Sequence, residues 1–466
     1  MKFESSGAKG AALPTVIMVM LVVMTAATIV LAMTTSQAKT GVVYEDNIQA
    51  LHSAEAGLNE YLWYLNKENS TLQFDTVMTY PENDPEYSFI IKELENTNMQ
   101  KLINVTGWSL RNPDITRTIE ATFTQRSFTE YVYFSDNDPS NIWWMDGDKC
   151  FGPYHTNTNL SISGSPEFFD TVTYVNKIVY QSGVSSNPKF YAGSKQVPVV
   201  SYPKNNSELM NYATINGYVY EGRTSIRLNA DGTITVWNPK FNNKAVTRAL
   251  PPNGVIYVNG TTVSRSSDRF NHDAGNVFIS GVLNGRLTVA AANDIYITDY
   301  DPIYESSTDA KNHETNGISY ADTDFTVNTT TGEITVKGSG QNDMLGLIAD
   351  KNVSILTYGW FNNANFKSTN GGIQVYGALF AINGSFGNSY NMYGETGTSY
   401  PNPGGTLSVR GAIIQKQRGI VGVRSNNISY GFVKDYAHDT RMKYEAPPYF
   451  LVPVDSGWEI NTWKEK

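Results

Sequence analysis

From Ala11 to Met33 the chain reads AALPTVIMVMLVVMTAATIVLAM, about 23 residues without a charge. At ~1.5 Å per residue, a helix of that length crosses the roughly 30 Å hydrocarbon core of a bilayer. A rod this apolar must stay in lipid or pack among other apolar rods, and no other feature constrains the chain as strongly. A secretory signal peptide carries a shorter apolar stretch, about 7–15 residues, and then a small-x-small cleavage site. Here the flank Thr34-Thr35-Ser36-Gln37-Ala38 offers only Ser-x-Ala. Lys2 and Lys9 precede the run, so the positive-inside rule keeps the short leader cytoplasmic and carries the body across the membrane. No second apolar run of comparable length follows. The pattern predicts a single-pass cytoplasmic-membrane protein with its bulk extracytoplasmic.

Helical character continues beyond the run. Between Thr34 and Leu65 there is no proline, and Val43, Ile48, Leu51, Ala54, Leu58, Leu62 and Leu65 recur at spacings of mostly three and four. Run and stripe together predict one helix over 11–66, with the membrane span at 11–33. Its first half suits lipid, and its second half suits a partner or its own domain.

The segment Lys9-Gly10-Ala11-Ala12-Leu13-Pro14, followed by the apolar run, resembles the processing region of type IV prepilins. The later stretch Asn47-Ile48-Gln49-Ala50-Leu51-His52-Ser53-Ala54-Glu55-Ala56-Gly57-Leu58 is similar to the helix of PilX-type minor pilins. The resemblance covers roughly residues 7–66. It implies a leader at 1–10, removed by a prepilin peptidase between Gly10 and Ala11. It also implies a subunit-packing helix carrying Pro14, Thr15 and Glu55, with other pilin-like subunits and the membrane as partners. Pro14 would be the fourth mature residue. Thr15 would stand at the fifth, where major pilins carry a glutamate thought to pair with the preceding subunit's N-terminal amine. A carboxylate at membrane depth is costly unless paired, so such pairing sets register. Its replacement by threonine resembles minor pilins placed at or near a fibre tip.

Beyond the helix the texture is that of strands. Within 67–127, Tyr87 to Lys92, Lys101 to Leu110 and Thr116 to Gln125 read as a small antiparallel sheet, with Ile119, Ala121 and Phe123 on one face. Such a sheet would cover the apolar stripe of the helix. From 128 to 455, short runs of β-branched and aliphatic residues recur between Gly and Asn corners, among them Val277 to Leu283, Leu345 to Ala349 and Ile373 to Phe380. No helical patterns separate them that could cover a doubly wound sheet. An irregular parallel β-helix is the preferred expectation, and an antiparallel β-sandwich is the alternative. Residues 456–466 read as a C-terminal tail. The fold class is therefore α+β: a long N-terminal transmembrane helix with a small antiparallel sheet, then a large all-β body. Phrases such as Gly152-Pro153-Tyr154-His155-Thr156-Asn157 and Tyr436-Ala437-His438-Asp439-Thr440-Arg441 resemble an exported domain found beside pilin-like N-termini, and that likeness brings no biochemical activity with it.

A net charge of −9 argues against a grip on nucleic-acid phosphates. The five histidines, His52, His155, His272, His313 and His438, lie in no paired-ligand spacing. No nucleophile elbow or phosphate loop occurs, and no cofactor or metal is expected. Cys150 is the sole cysteine and reads as a buried free thiol. Asp294, Asp299 and Asp301 are the best candidates for paired carboxylates if the body were a carbohydrate-active enzyme. Asp439 and Arg441 read instead as a local ion pair sealing the last coil. Trp143, Trp144 and Trp360, if exposed, would offer stacking surfaces for a surface glycan. The leading expectation is a non-catalytic structural or interaction component of a type IV pilus or type II secretion-like machine. A surface-anchored carbohydrate-active enzyme and a glycan-binding adhesin are the alternatives.

Overall fold

The computed structural model describes residues 12–67, 72, 74–81, 85–96, 99–241, 244–262, 269–303, 315–356, 372–388, 405–425, 428–454 and 456–466. They form two compact units. One comprises the N-terminal helix, residues up to 96, residues 100–124 and residues 458–466; the other is essentially 125–457.

In the first unit, helix α1 runs from Ala12 to Asn66, 55 residues, about 80 Å of rod. Pro14 falls in its first turn, where the missing N–H has no intrahelical partner to lose. Strands β1 (Val77–Tyr80), β2 (Tyr87–Asn96), β3 (Gln100–Trp108) and β4 (Thr116–Gln125) form an antiparallel meander. A fifth strand, Trp458–Glu465, lies beside β4, so the residues expected as a tail complete the sheet. Alternation along β2, β3 and β4 places Phe89, Ile91, Ile103, Val105, Ile119, Ala121 and Phe123 in one core with the second half of α1.

The buried line on the helix differs from the stripe read in the sequence. Val43 and Ile48 are exposed, whereas Ala50, Ser53, Ala54, Gly57, Leu58 and Tyr61 are buried. Close packing explains the difference. A Cβ at Gly107 would stand 2.5 Å from the Ala50 carbonyl oxygen and 2.7 Å from the Ser53 carbonyl carbon. Only small residues on the helix and glycine on β3 permit that approach. Ser53 uses the proximity: its hydroxyl donates to the Trp108 carbonyl at 3.0 Å and accepts from the Ser88 N–H at 3.4 Å.

The second unit is a stack of parallel coils, the β-helix of the two expected alternatives. One face pairs Tyr218–Glu221, Val255–Asn259, Arg286–Ala291 and Met344–Ala349, then residues 378–381 and 412–415. It continues through Tyr133–Asn137, Tyr154–Thr156, Val172–Tyr174 and Ser194–Gln196. A second face stacks Thr224–Leu228, Val277–Leu283, Ile295–Thr298, Val353–Leu356 and Phe386–Asn388. A third runs from Gly317–Tyr320 through residues 372–375, 406–410, Val433–Ala437 and Lys149–Phe151 to Glu167–Phe168 and Lys189–Phe190. Two long strands turn a corner between faces at Gly377 and Gly411, both at positive φ (145° and 149°). They sit one above the other, and a side chain on Gly411 would strike the Gly377 carbonyl.

The chain enters this stack in the middle. Residues 133–196 build one end, and the chain then crosses to the opposite end at Tyr218. From there it winds back until Thr406–Gln417 and Val433–Ala437 pair with Tyr133–Asn137 and Lys149–Phe151. Inward residues form one continuous apolar core. Outward residues of the first face, including Tyr257, Ile348, Phe380 and Ile414, form a second cluster with Phe128, Leu209, Ala213, Met442 and Phe450. Leu209 and Ala213 come from the helix Ser207–Asn216. Burial on both faces explains why these strands read as unbroken apolar runs.

Candidate functional site

The first half of α1 is a continuous exposed apolar surface from Leu13 to Met33. Leu13, Met18, Met24, Leu31 and Met33 are each more than 60% exposed, far beyond what a solitary soluble helix carries. The helix is long and apolar enough to cross a membrane, its apolar character being concentrated in the first half. Its polar groups are prepared for an apolar setting. The hydroxyls of Thr25, Thr28, Thr34 and Thr35 donate to carbonyls three or four residues back, at 2.8–3.1 Å. Pro14 and Thr15 stand exposed at the start of this surface. Gly10 and Ala11, the expected processing site, lie outside the described residues.

Polar contacts tie the second half of the helix to its sheet. Asp46 accepts from Ser109 Oγ at 2.8 Å and from Arg111 Nε at 2.9 Å, while Arg111 also meets Glu45 at 3.2 Å. Tyr61 donates to Glu93 at 2.6 Å, and burial pushes its phenol well above the usual range. Glu55, expected on the packing helix, is half-buried. With Trp63, Met78, Tyr80 and Tyr87 it lines an open cleft of about 1280 Å³.

The other sequence candidates are scattered, and most of them hold the fold together. Asp294 is fully buried and accepts from Asn352 N at 2.9 Å, Asn352 Nδ2 at 3.1 Å and the Tyr296 hydroxyl at 3.2 Å. Asp301 pairs with Arg227 at 2.6 Å, and the Asp299 carbonyl accepts the Thr315 N–H. Asp439 caps a short 3-10 turn and pairs with Arg441 at 2.6 Å. Arg441 also holds the Asp343 carbonyl at 2.8 Å.

The stacking role expected of Trp144 is overturned, because its ring is fully buried. Inside the body it stands 5.2 Å from Phe168 and 5.5 Å from Tyr133, ring centre to ring centre. Trp143 is half-buried, and Trp360 lies outside the described residues. His155 bonds Thr173 Oγ1 and Asn157 Oδ1, and His438 bonds the Thr129 carbonyl. Burial pulls both imidazoles below their ordinary value. His313 is outside the described residues. Burial pushes the Cys150 thiol up. No group of three potential metal ligands occurs among the described residues.

Sequence reasoning missed the ion pairs that join the two ends of the body chain. Lys416 meets Asp136, Arg418 meets Asp138 at 3.6 Å, and Lys434 meets Asp148 at 2.6 Å. Arg418 and Asp138 are both sealed from solvent. Burial raises the Asp138 carboxyl, and Arg418, Ser135 and Tyr154 pull it back. It also missed a second cleft, of about 510 Å³, in the body. No local pattern signals either feature, since the partners lie far apart in sequence.

No protein-family profile matches the chain, and no curated protein sequence matches it. Among solved structures, the competence-associated pilin ComZ from Thermus thermophilus aligns over 90% of this chain and 97% of its own, at 9% identity and a TM-score of 0.25.

Proposed function

We propose that the protein is a non-catalytic, pilin-like component of a type IV pilus or type II secretion-like machine, of the minor-pilin kind. In this reading α1 is held in the cytoplasmic membrane before assembly and packs among sister helices afterwards, with the β body extracytoplasmic for adhesion or assembly. One observation carries it: a single unbroken helix whose first half is wholly exposed and apolar while its second half is laid on an antiparallel sheet. Such a half-helix needs a partner supplied by lipid or by other subunits. The self-bonded threonines and exposed Pro14 and Thr15 fit that role. The processing segment around Gly10 and Ala11 supports removal of the leader by a prepilin peptidase.

N-terminal sequencing of the protein recovered from membranes tests the reading. A mature chain starting at Ala11 is expected. A start near Lys39, with the apolar run removed, would overturn it and leave a secreted β protein.

A further inference from the structure

The 510 Å³ cleft in the body brings together five separate stretches of the chain, around residues 126–131, 153, 171–173, 195–200 and 443. Its volume lies within the ~300–1,000 Å³ of small-ligand sites. Arg126 enters from the segment after β4, Lys195 from the last strand of one coil stack, and Lys443 from the short 3-10 turn Thr440–Lys443. All three are exposed, and none has an ion-pair partner among the described residues.

Three unpaired cations on one cleft run against the character of a chain whose net charge is −9. The one carboxyl in the lining is Glu130. Burial raises its proton affinity, and Tyr131 and Arg126 only partly oppose that. The local field is therefore positive, in a setting that focuses it on whatever enters. The remaining wall supplies two threonines, Thr171 and Thr173, and apolar surface from Pro153 and Pro198. The Thr171 hydroxyl and Glu130 suit sugar hydroxyls, whereas the Thr173 hydroxyl is held by the Tyr154 carbonyl and His155; prolines supply an apolar wall, and a planar guanidinium suits a carboxylate.

We infer that this cleft binds an acidic saccharide, a short stretch of uronic-acid polymer, with its carboxylates held by Arg126, Lys195 and Lys443. The site is independent of how the N-terminus is processed, so it stands even for a chain whose helix is never cut at Ala11. It also moves the expected glycan contact away from the tryptophans.

The test is calorimetric titration of the full-length chain in detergent micelles with three probes: trigalacturonate, galactotriose and inorganic phosphate. Trigalacturonate is expected to bind at least tenfold more tightly than either of the others. Arg126→Ala should weaken it about tenfold, and Lys195→Ala and Lys443→Ala at least threefold each. Lys464→Ala, which lies on the other unit, should leave it unchanged. Because Lys195 and Lys443 are exposed, loss of binding in those variants reads as loss of contact. Equal affinity for galactotriose would refute the charge recognition, and equal affinity for phosphate would refute the saccharide. Undiminished binding in the three cation variants, or no binding by millimolar trigalacturonate, would refute the site.

Discussion

Replacing Gly107 with alanine puts the packing of α1 on its sheet to a direct test. The added Cβ would lie 2.5 Å from the Ala50 carbonyl oxygen and 2.7 Å from the Ser53 carbonyl carbon, about 1 Å inside ordinary contact. These are helix backbone atoms, which cannot swing aside as a side chain can. The helix must lift from β3, loosening the contacts of Ala54, Leu58 and Tyr61 with Val105 and Phe123. Overpacking of this kind costs about 3 kcal/mol, roughly a hundredfold in the local opening equilibrium. The same substitution at Gly41 is its own control. That glycine lies on α1 with nothing within 4 Å of the added Cβ, so alanine there should stabilise the helix by ~0.8–1 kcal/mol. Hydrogen exchange followed by mass spectrometry on peptides spanning 50–61 and 100–108 reads the effect locally, with the body as an internal reference. Exchange in those peptides should accelerate about a hundredfold in Gly107→Ala and stay level or slow in Gly41→Ala. If Gly107→Ala leaves it within about threefold of the parent, small-residue packing does not hold the helix and the reasoning fails.

Removing the Arg418 charge with Arg418→Met should destabilise the body by about 3–5 kcal/mol by stranding Asp138, and Arg418→Met with Asp138→Asn should recover much of that loss in thermal unfolding. Trp144→Ala should cost about 3–5 kcal/mol as a core truncation and melt the body early, whereas half-buried Trp143 should matter far less. His155 and His438 have folded pKa values below their ordinary 6.5, so the unfolded chain takes up protons first. Their contribution is intact above about pH 6.5 and is lost as pH falls through and below that value. Replacing both with glutamine should flatten the fall of body stability in that window, measured by denaturant midpoints at stepped pH.

The helix and the strands it covers were legible because their signals are local. Twenty-odd uncharged residues and a strict alternation at Ile119, Ala121 and Phe123 each decide an element without reference to anything distant. The parallel coils were legible as texture, because strands buried on both faces lose alternation and become apolar runs. What escaped depended on long-range placement. Trp143 and Trp144 are neighbours, so an extended chain points them to opposite sides, and nothing local tells which side is inward. The strand Trp458–Glu465 reads as a tail because an edge strand is rich in charge, here Glu459, Lys464 and Glu465, and lacks the apolar run of a core strand. Val43 and Ile48 looked like core because periodicity reports an apolar face. Burial followed the small residues that let β3 come close.

The join between the two ends of the body shows how such a long-range feature specifies itself. Strands 406–417 and 133–137 are nearly three hundred residues apart, Gln415 meeting the Tyr133 hydroxyl across 282 positions. Parallel strands alone would tolerate a slip of two residues, which keeps every side chain on its original face. The charges do not tolerate it. Lys416 and Arg418 carry the same two-residue spacing as Asp136 and Asp138, with every cation on the late segment and every anion on the early one. Sliding by two would pair one couple wrongly and leave either Arg418 or Asp138 buried without its counter-ion, at about 3–5 kcal/mol. The ion pairs therefore reinforce the register that the Gln415–Tyr133 bond and the stacking of Tyr133 on Tyr154 and Tyr436 also require, and a chain that enters its stack in the middle closes it in one arrangement.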